Sequence, residues 1–139
     1  MERIPRWVKP FSFLLLLAAL ATVILTGCRG DEFQIEPPVT QEERMHFFAD
    51  LDRDLASWSA AESRDNLSEA ERLGRRIGWI VERHHPVIVE ALNGSNRRPQ
   101  AIAAAAVGFS NDVRYCSSLQ YCLAVPDPVV QTNALTALG

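Results

Sequence analysis

Residues 100–108 read Gln-Ala-Ile-Ala-Ala-Ala-Ala-Val-Gly, and residues 131–139 read Gln-Thr-Asn-Ala-Leu-Thr-Ala-Leu-Gly. A shift of 31 positions pairs Gln100 with Gln131, Ala103 with Ala134, Ala106 with Ala137, Val107 with Leu138 and Gly108 with Gly139. The segment before agrees at the same shift, with Ile88 against Leu119, Ala91 against Cys122 and Leu92 against Leu123. Small residues recur where helices would approach closely and large apolar ones where they would fill a core, so the pattern predicts an internal repeat of helices.

Outward from this repeat, apolar spacing and end signals predict more helix. Thr40 with Glu43 forms a capping box, and Phe47, Phe48, Leu51, Leu55 and Trp58 keep one face apolar, giving a helix over about 41–60. Ser68 with Glu71 repeats the capping signature ahead of Ala70, Leu73, Ile77, Ile80, Val81 and His84, giving a helix over about 69–84. Pro86 suits a first helical position, and Asn93-Gly94 is read as the left-handed stop of a short helix. Segments 100–107, 113–125 and 128–138 complete the set, and nowhere is strand alternation sustained. The expected fold class is all-α, built of antiparallel helix pairs as either a right-handed solenoid fragment or a small helical bundle.

Val125-Pro126-Asp127-Pro128-Val129-Val130, leading to Ala134-Leu135-Thr136-Ala137-Leu138-Gly139, resembles the first helix of HEAT-type repeats, in which an Asp-Pro turn opens a helix ending in Ala-Leu-Gly. The resemblance runs from about residue 86 to 139 and departs from the pattern at Gln131, where such repeats usually carry arginine. It implies stacked helix pairs that bind partners through extended surfaces. It also implies that the last helix is the first of its pair, so that the apolar face of residues 129–138 packs back on the first two helices, is left as an edge for a partner, or is covered by chain continuing past Gly139.

The N-terminus carries an address. Arg3, Arg6 and Lys9 precede an apolar run from Phe11 to Leu25, the secretory arrangement. As a helix that run would span about 23 Å, short of the roughly 30 Å hydrocarbon core a stable span must cross. It ends in Leu25-Thr26-Gly27-Cys28, which resembles the lipobox of bacterial lipoproteins. The resemblance implies a signal peptide over 1–27, cleavage before Cys28, a diacylglyceryl group on that thiol and usually an acyl group on the freed amine. Two or three chains, at about 0.8 kcal/mol per buried methylene, anchor durably where one does not. Arg29, in place of the aspartate that holds such lipoproteins in the inner membrane, points to the outer membrane facing the periplasm in a two-membrane cell. Residues 28–39, with Pro37-Pro38, then form a tether to a helical domain over 40–139.

Charge narrows the function classes. Of 14 basic and 17 acidic residues, cleavage would remove Arg3, Arg6, Lys9 and Glu2, leaving 11 arginines against 16 carboxylates. Such a domain, with arginines interleaved among acids, is not expected to bind nucleic acid. Asp50, Asp52 and Asp54 begin like a calcium loop, but Leu55 stands where the turn glycine belongs and Ala61 where the bidentate carboxylate belongs. Arg29-Gly30-Asp31 matches an integrin-binding tripeptide by chance.

The chemical candidates are few. His84-His85 could ligate a metal or serve acid/base chemistry, with His46 as a further candidate. Neighbours on a helix point about 100° apart, however, so a packed His84 and a capping His85 are expected, with no metal and no cofactor. If the segment between them is helical, Cys116 and Cys122 stand about 9 Å apart along its axis, too far for a disulfide; a helix there predicts buried free thiols and a bridge would break it, and the thiols are the expectation. The expected function is a lipid-anchored envelope protein that binds another envelope protein through its helices. A compact structural or assembly lipoprotein and a metal-dependent or hydrolytic accessory enzyme using His84 or His85 are the alternatives.

Overall fold

A computed structural model describes residues 40–139. Among them are six α-helices, α1 (Gln41–Glu62), α2 (Leu67–Arg83), α3 (His85–Leu92), α4 (Arg97–Val107), α5 (Cys116–Leu123) and α6 (Pro128–Leu138). A 3-10 turn, Val113–Tyr115, leads into α5, and no strand occurs among the described residues. The fold class is all-α. Leu25, Thr26, Gly27 and Cys28, on which the lipobox resemblance rests, and the segment 28–39 expected to be a tether lie outside the described residues.

The capping box that opens α1 is present in both directions. The Glu43 amide donates to Thr40 Oγ1 at 3.1 Å, and the Thr40 amide donates to Glu43 Oε2 at 2.9 Å. At the start of α2 the expectation fails, because Asn66 rather than Ser68 is the cap, accepting from the Glu69 amide. Asp65 is the cause: its φ of +54° turns the chain sharply after α1 and lets the helix begin two residues early. α1 and α2 pack antiparallel, with Phe47 against His84 at one end and Trp58 close to Gly74 at the other.

α2 and α3 would form one helix but for Pro86, which has no amide hydrogen to give and whose ring disturbs the preceding turn. His84 marks the break at φ −107°, ψ 29°. α3 ends at Asn93, but not on a left-handed residue: Asn93 has φ −93°, and no described glycine has positive φ. The Asn93 side-chain amide instead donates back to the Val89 carbonyl at 3.0 Å and across to Ser118 Oγ at 3.1 Å. Helix α4 starts three residues before the expected Gln100, capped by Asn96.

The 31-residue register holds for the elements themselves. α3 (His85–Leu92) and α5 (Cys116–Leu123) correspond end to end, as do α4 (Arg97–Val107) and α6 (Pro128–Leu138), and their caps Asn96 and Asp127 correspond too. One tertiary bond repeats with them. Gln100 Nε2 donates to the Leu92 carbonyl at 2.7 Å, and Gln131 Nε2 donates to the Leu123 carbonyl at 3.1 Å. Each glutamine thereby ties its own helix to the open C-terminal end of the helix before it, whose last carbonyls have no partner within their own helix.

The two pairs stack side by side and parallel. Asn133 Nδ2 donates to the Ala101 carbonyl at 2.9 Å, and a Cβ built on Gly108 would lie 3.4 Å from the Ala137 Cα, so α6 runs close along α4. α6 packs on α4 and α5, and the outward Val129 (60% exposed), Leu135 (60%) and Leu138 (39%) stay open as an edge. The core runs continuously through both pairs and into α1 and α2, with Leu51, Ile77, Val81, Ile88, Leu92, Ala103, Val130 and Ala134 almost wholly buried. Tyr115 is sealed within it, its hydroxyl donating to the Val81 carbonyl at 3.1 Å.

Candidate functional site

The histidines do not converge. His46 is exposed on α1, 4.0 Å from Glu42. His84 is buried, 3% exposed, its ring 4.9 Å from that of Phe47. Burial first, and then the charge of Arg83, hold its imidazole below the usual histidine range. His85 is the first residue of α3 and makes no capping bond, contrary to the expected role; its ring rests 4.9 Å from that of Tyr115. Nδ1 of each of this adjacent pair is buried without a protein partner. Among the described residues no three His, Cys, Asp or Glu side chains come together to hold a metal ion.

Cys116 and Cys122 are both free thiols on α5, but only Cys122 is buried, and Cys116 is exposed. Residues six apart on a helix point about 120° apart, so Cys122, in register with the buried Tyr115, Ser118 and Leu119, faces the core and Cys116 does not. The Cys122 thiol donates to the Leu92 carbonyl at 3.4 Å, and burial pushes its pKa up. Burial likewise raises the Tyr115 phenol to about 12. Neither group is poised to react at neutral pH.

The aspartates of α1 are spent on arginines. Asp50 pairs with Arg53 at 2.7 Å, Asp52 with Arg98 at 3.4 Å and Asp54 with Arg76 at 3.1 Å. Their three partners lie on three different helices, so the aspartates brace α1 and form no cation loop; Asp50 and Asp52 are open to solvent, whereas the Asp54 side chain is only 13% exposed.

What the structure does assemble is a groove. α4 lies between α1 and α6, and its outward residues are small: Ala101 and Ala105, with Ile102 beside them, form a floor. Asp52 and Leu55 of α1 make one wall, and Val129 and Asn133 of α6 make the other. Arg97, Arg98 and Asp127 stand at one end, and the groove, open to solvent above, has a volume of about 420 Å³. Two alanines one turn apart keep the floor low while leucine, valine and asparagine raise the rims. The charged end holds both signs, and the Arg97 guanidinium donates to Gln100 Oε1 at 2.8 Å, so part of the groove rim is tied to the buried glutamine.

Two other hollows flank the molecule. One, of about 290 Å³, opens at the start of α1 among Met45, Phe48, Val87 and Pro99. The other, about 540 Å³ and shallow, surrounds the Trp58–Phe109 edge-to-face pair, whose centroids are 5.0 Å apart. Neither gathers titratable groups beyond surface carboxylates and arginines.

The groove could not be read from the sequence, because its walls come from α1 and α6, about 75 residues apart in the chain. The one local signal was the alanine run at 103–106 with Ala101, which sequence reading assigns to close helix packing; Ala103, Ala104 and Ala106 are buried so, whereas Ala101 and Ala105 face the groove. No protein-family model, no characterised protein sequence and no solved structure shows significant similarity to this chain.

Proposed function

We propose that this chain is a bacterial lipoprotein, cleaved before Cys28 and anchored by lipid on that cysteine, whose HEAT-like helix pairs hold another envelope protein in the groove over α4. The observation that carries the binding half is the groove itself: an apolar, alanine-floored channel framed by three helices, with charges of both signs at one end. An apolar helix or extended segment gains affinity there by covering Ala101, Ala105, Leu55 and Val129, while Arg97, Arg98, Asp52 and Asp127 fix its direction. The anchoring half is supported by the order of basic stretch, short apolar run and Leu25-Thr26-Gly27-Cys28. A tether of eleven residues, 29–39, would let Thr40 stand at most about 40 Å from the bilayer, with the helical body reaching beyond it.

The test of the binding half is a photo-crosslinking side chain placed at Ala105, on the groove floor, with a control at the exposed Gln120 of α5. In intact cells the Ala105 probe is expected to give one discrete adduct that the Gln120 probe does not give, and Ala101→Arg is expected to abolish it. Adducts of equal pattern from both positions, or none from Ala105, contradict the adaptor reading.

A further inference from the structure

The arginines that look scattered in sequence gather on one helix face in space. Residues 40–139 carry ten arginines against thirteen carboxylates, yet α2 alone holds Arg72, Arg75, Arg76 and Arg83. With Trp79 these follow the i, i+3, i+4, i+7 rhythm of one helical face. That face is opposite Ala70, Leu73, Ile77 and Val81, which are buried in the core. Trp79 is 50% exposed at its centre, an unusual place for the largest apolar side chain, and the guanidinium-bearing chains of Arg72, Arg75 and Arg76 are 55%, 67% and 56% exposed around it.

The carboxylates that pair with this face sit along its borders. Arg72 pairs with Glu69 at 2.6 Å, Arg75 pairs with Glu71, and Arg76 reaches Asp54 on α1. The Glu69 and Glu71 pairs are exposed and therefore weak, so a headgroup phosphate can replace those carboxylates as partner, while Asp54, only 13% exposed, stays with Arg76. Position matters as much as charge. α2 runs antiparallel to α1, so its last turns lie beside the residues where the tether joins: His84 rests on Phe47, seven residues from Thr40.

We propose that the Arg72–Arg75–Arg76–Trp79–Arg83 face of α2 docks the helical body onto an anionic lipid surface, with the Trp79 ring at the level of the headgroups. Tryptophan prefers the membrane interface because its ring is apolar and its N–H still finds a partner there, and arginine carries a long apolar stem beneath a headgroup-seeking guanidinium. Docking lays α2 along the bilayer, and α2 contributes nothing to the groove over α4, so the groove remains open to a partner while the body lies on the membrane. The proposal uses the anchor reading only for nearness to the bilayer.

The test uses the full chain, purified from membranes and reconstituted into phosphatidylcholine vesicles with or without phosphatidylglycerol, both doped with brominated lipid. Trp7→Phe and Trp58→Phe leave Trp79 as the only tryptophan. Its emission is expected to shift to the blue and be quenched in the anionic vesicles, and to be little affected in the neutral ones or in high salt. Arg75→Gln with Arg83→Gln is expected to lower the docked-to-undocked ratio about thirtyfold. Should loss of Trp58 unfold the chain, Trp79→Cys bearing a polarity-sensitive label, in a Cys116→Ser background, reads the same contact. Quenching that is equal in both lipids, or absent from both, overturns the proposal, and absence from both leaves this face to a protein partner. Flotation of both vesicle preparations is scored first, so that failure of the anchor reading shows as chain that does not float with neutral vesicles, while failure of docking shows as equal or absent quenching in the floated chain.

Discussion

Replacing Gln100 by leucine separates the repeat's hydrogen bond from its packing. Gln100 is wholly buried; its Nε2 donates to the Leu92 carbonyl at 2.7 Å and its Oε1 accepts from Arg97 at 2.8 Å. Leucine is close in volume, so no large cavity opens, but both bonds are lost. The Leu92 carbonyl keeps only the weak Cys122 thiol donor at 3.4 Å. A buried acceptor left this poorly satisfied costs about 1–3 kcal/mol, the lost Arg97 bond costs about 1 kcal/mol more, and the apolar side chain returns part of the sum, for a net loss of about 2 kcal/mol. The equivalent bond of Gln131 is longer, 3.1 Å, and its side chain is only half-buried, so water can take over the Leu123 carbonyl. Gln131→Leu is therefore expected to cost under about 1 kcal/mol. Urea unfolding of a polypeptide spanning 37–139, which forms one compact unit, measures both. At a slope near 1 kcal/mol/M, Gln100→Leu should move the midpoint down by about 2 M without changing the slope. Equal losses from the two substitutions, or a neutral Gln100→Leu, would refute the claim that this bond locks the first pair into the core.

Other expectations follow from single contacts. A Cβ at Gly78 would come within 2.6 Å of the Phe109 carbonyl oxygen, a backbone atom, whereas one at Gly74 would meet the Phe109 ring edge at 3.3 Å, which can yield. Gly78→Ala should thus destabilise by about 1–3 kcal/mol, while Gly74→Ala should come out near neutral as helix propensity offsets crowding, both read from thermal midpoints. His84 is held neutral in the fold, so the unfolded chain takes up its proton first as pH falls through about 6.5. Stability should consequently drop between pH 7 and 5, and His84→Gln should flatten that slope; an unchanged slope in the variant would assign the loss to other groups. Alkylation followed by mass spectrometry should modify Cys116 readily in the native protein and Cys122 only on unfolding, and equal rates would contradict the burial of Cys122.

How legible each feature was depends on whether its partners are neighbours in sequence. The Thr40–Glu43 capping box joins residues three apart and was readable as written. The cap of α2 was not, since Asn66 was preferred over Ser68 by a left-handed turn at Asp65 that no spacing rule announces. The 31-residue repeat was visible in alanines and glycines, yet its structural meaning was sharper than its letters: all four helix boundaries shift together, although Ala91 faces Cys122 and Ile88 faces Leu119 across the register. The role of Gln100 and Gln131 could not be foreseen, because each bond closes on a carbonyl eight residues back, beyond a turn whose geometry was itself misread at Asn93-Gly94. His84 was placed correctly as a packed residue by its position on an apolar stripe. The groove and the arginine face of α2 both needed tertiary structure, the first to bring α1 and α6 to either side of α4, the second to show which face of α2 the core leaves to solvent.

Lipid anchoring depends on Cys28. It is tested in cells grown with an alkyne fatty-acid analogue and expressing the wild-type chain or Cys28→Ser, with the purified protein both imaged for label and weighed. A labelled wild-type protein whose mass begins at an acylated Cys28, and an unlabelled Cys28→Ser protein, are expected. A wild-type chain that carries no label and retains residues 1–27 would contradict anchoring at Cys28.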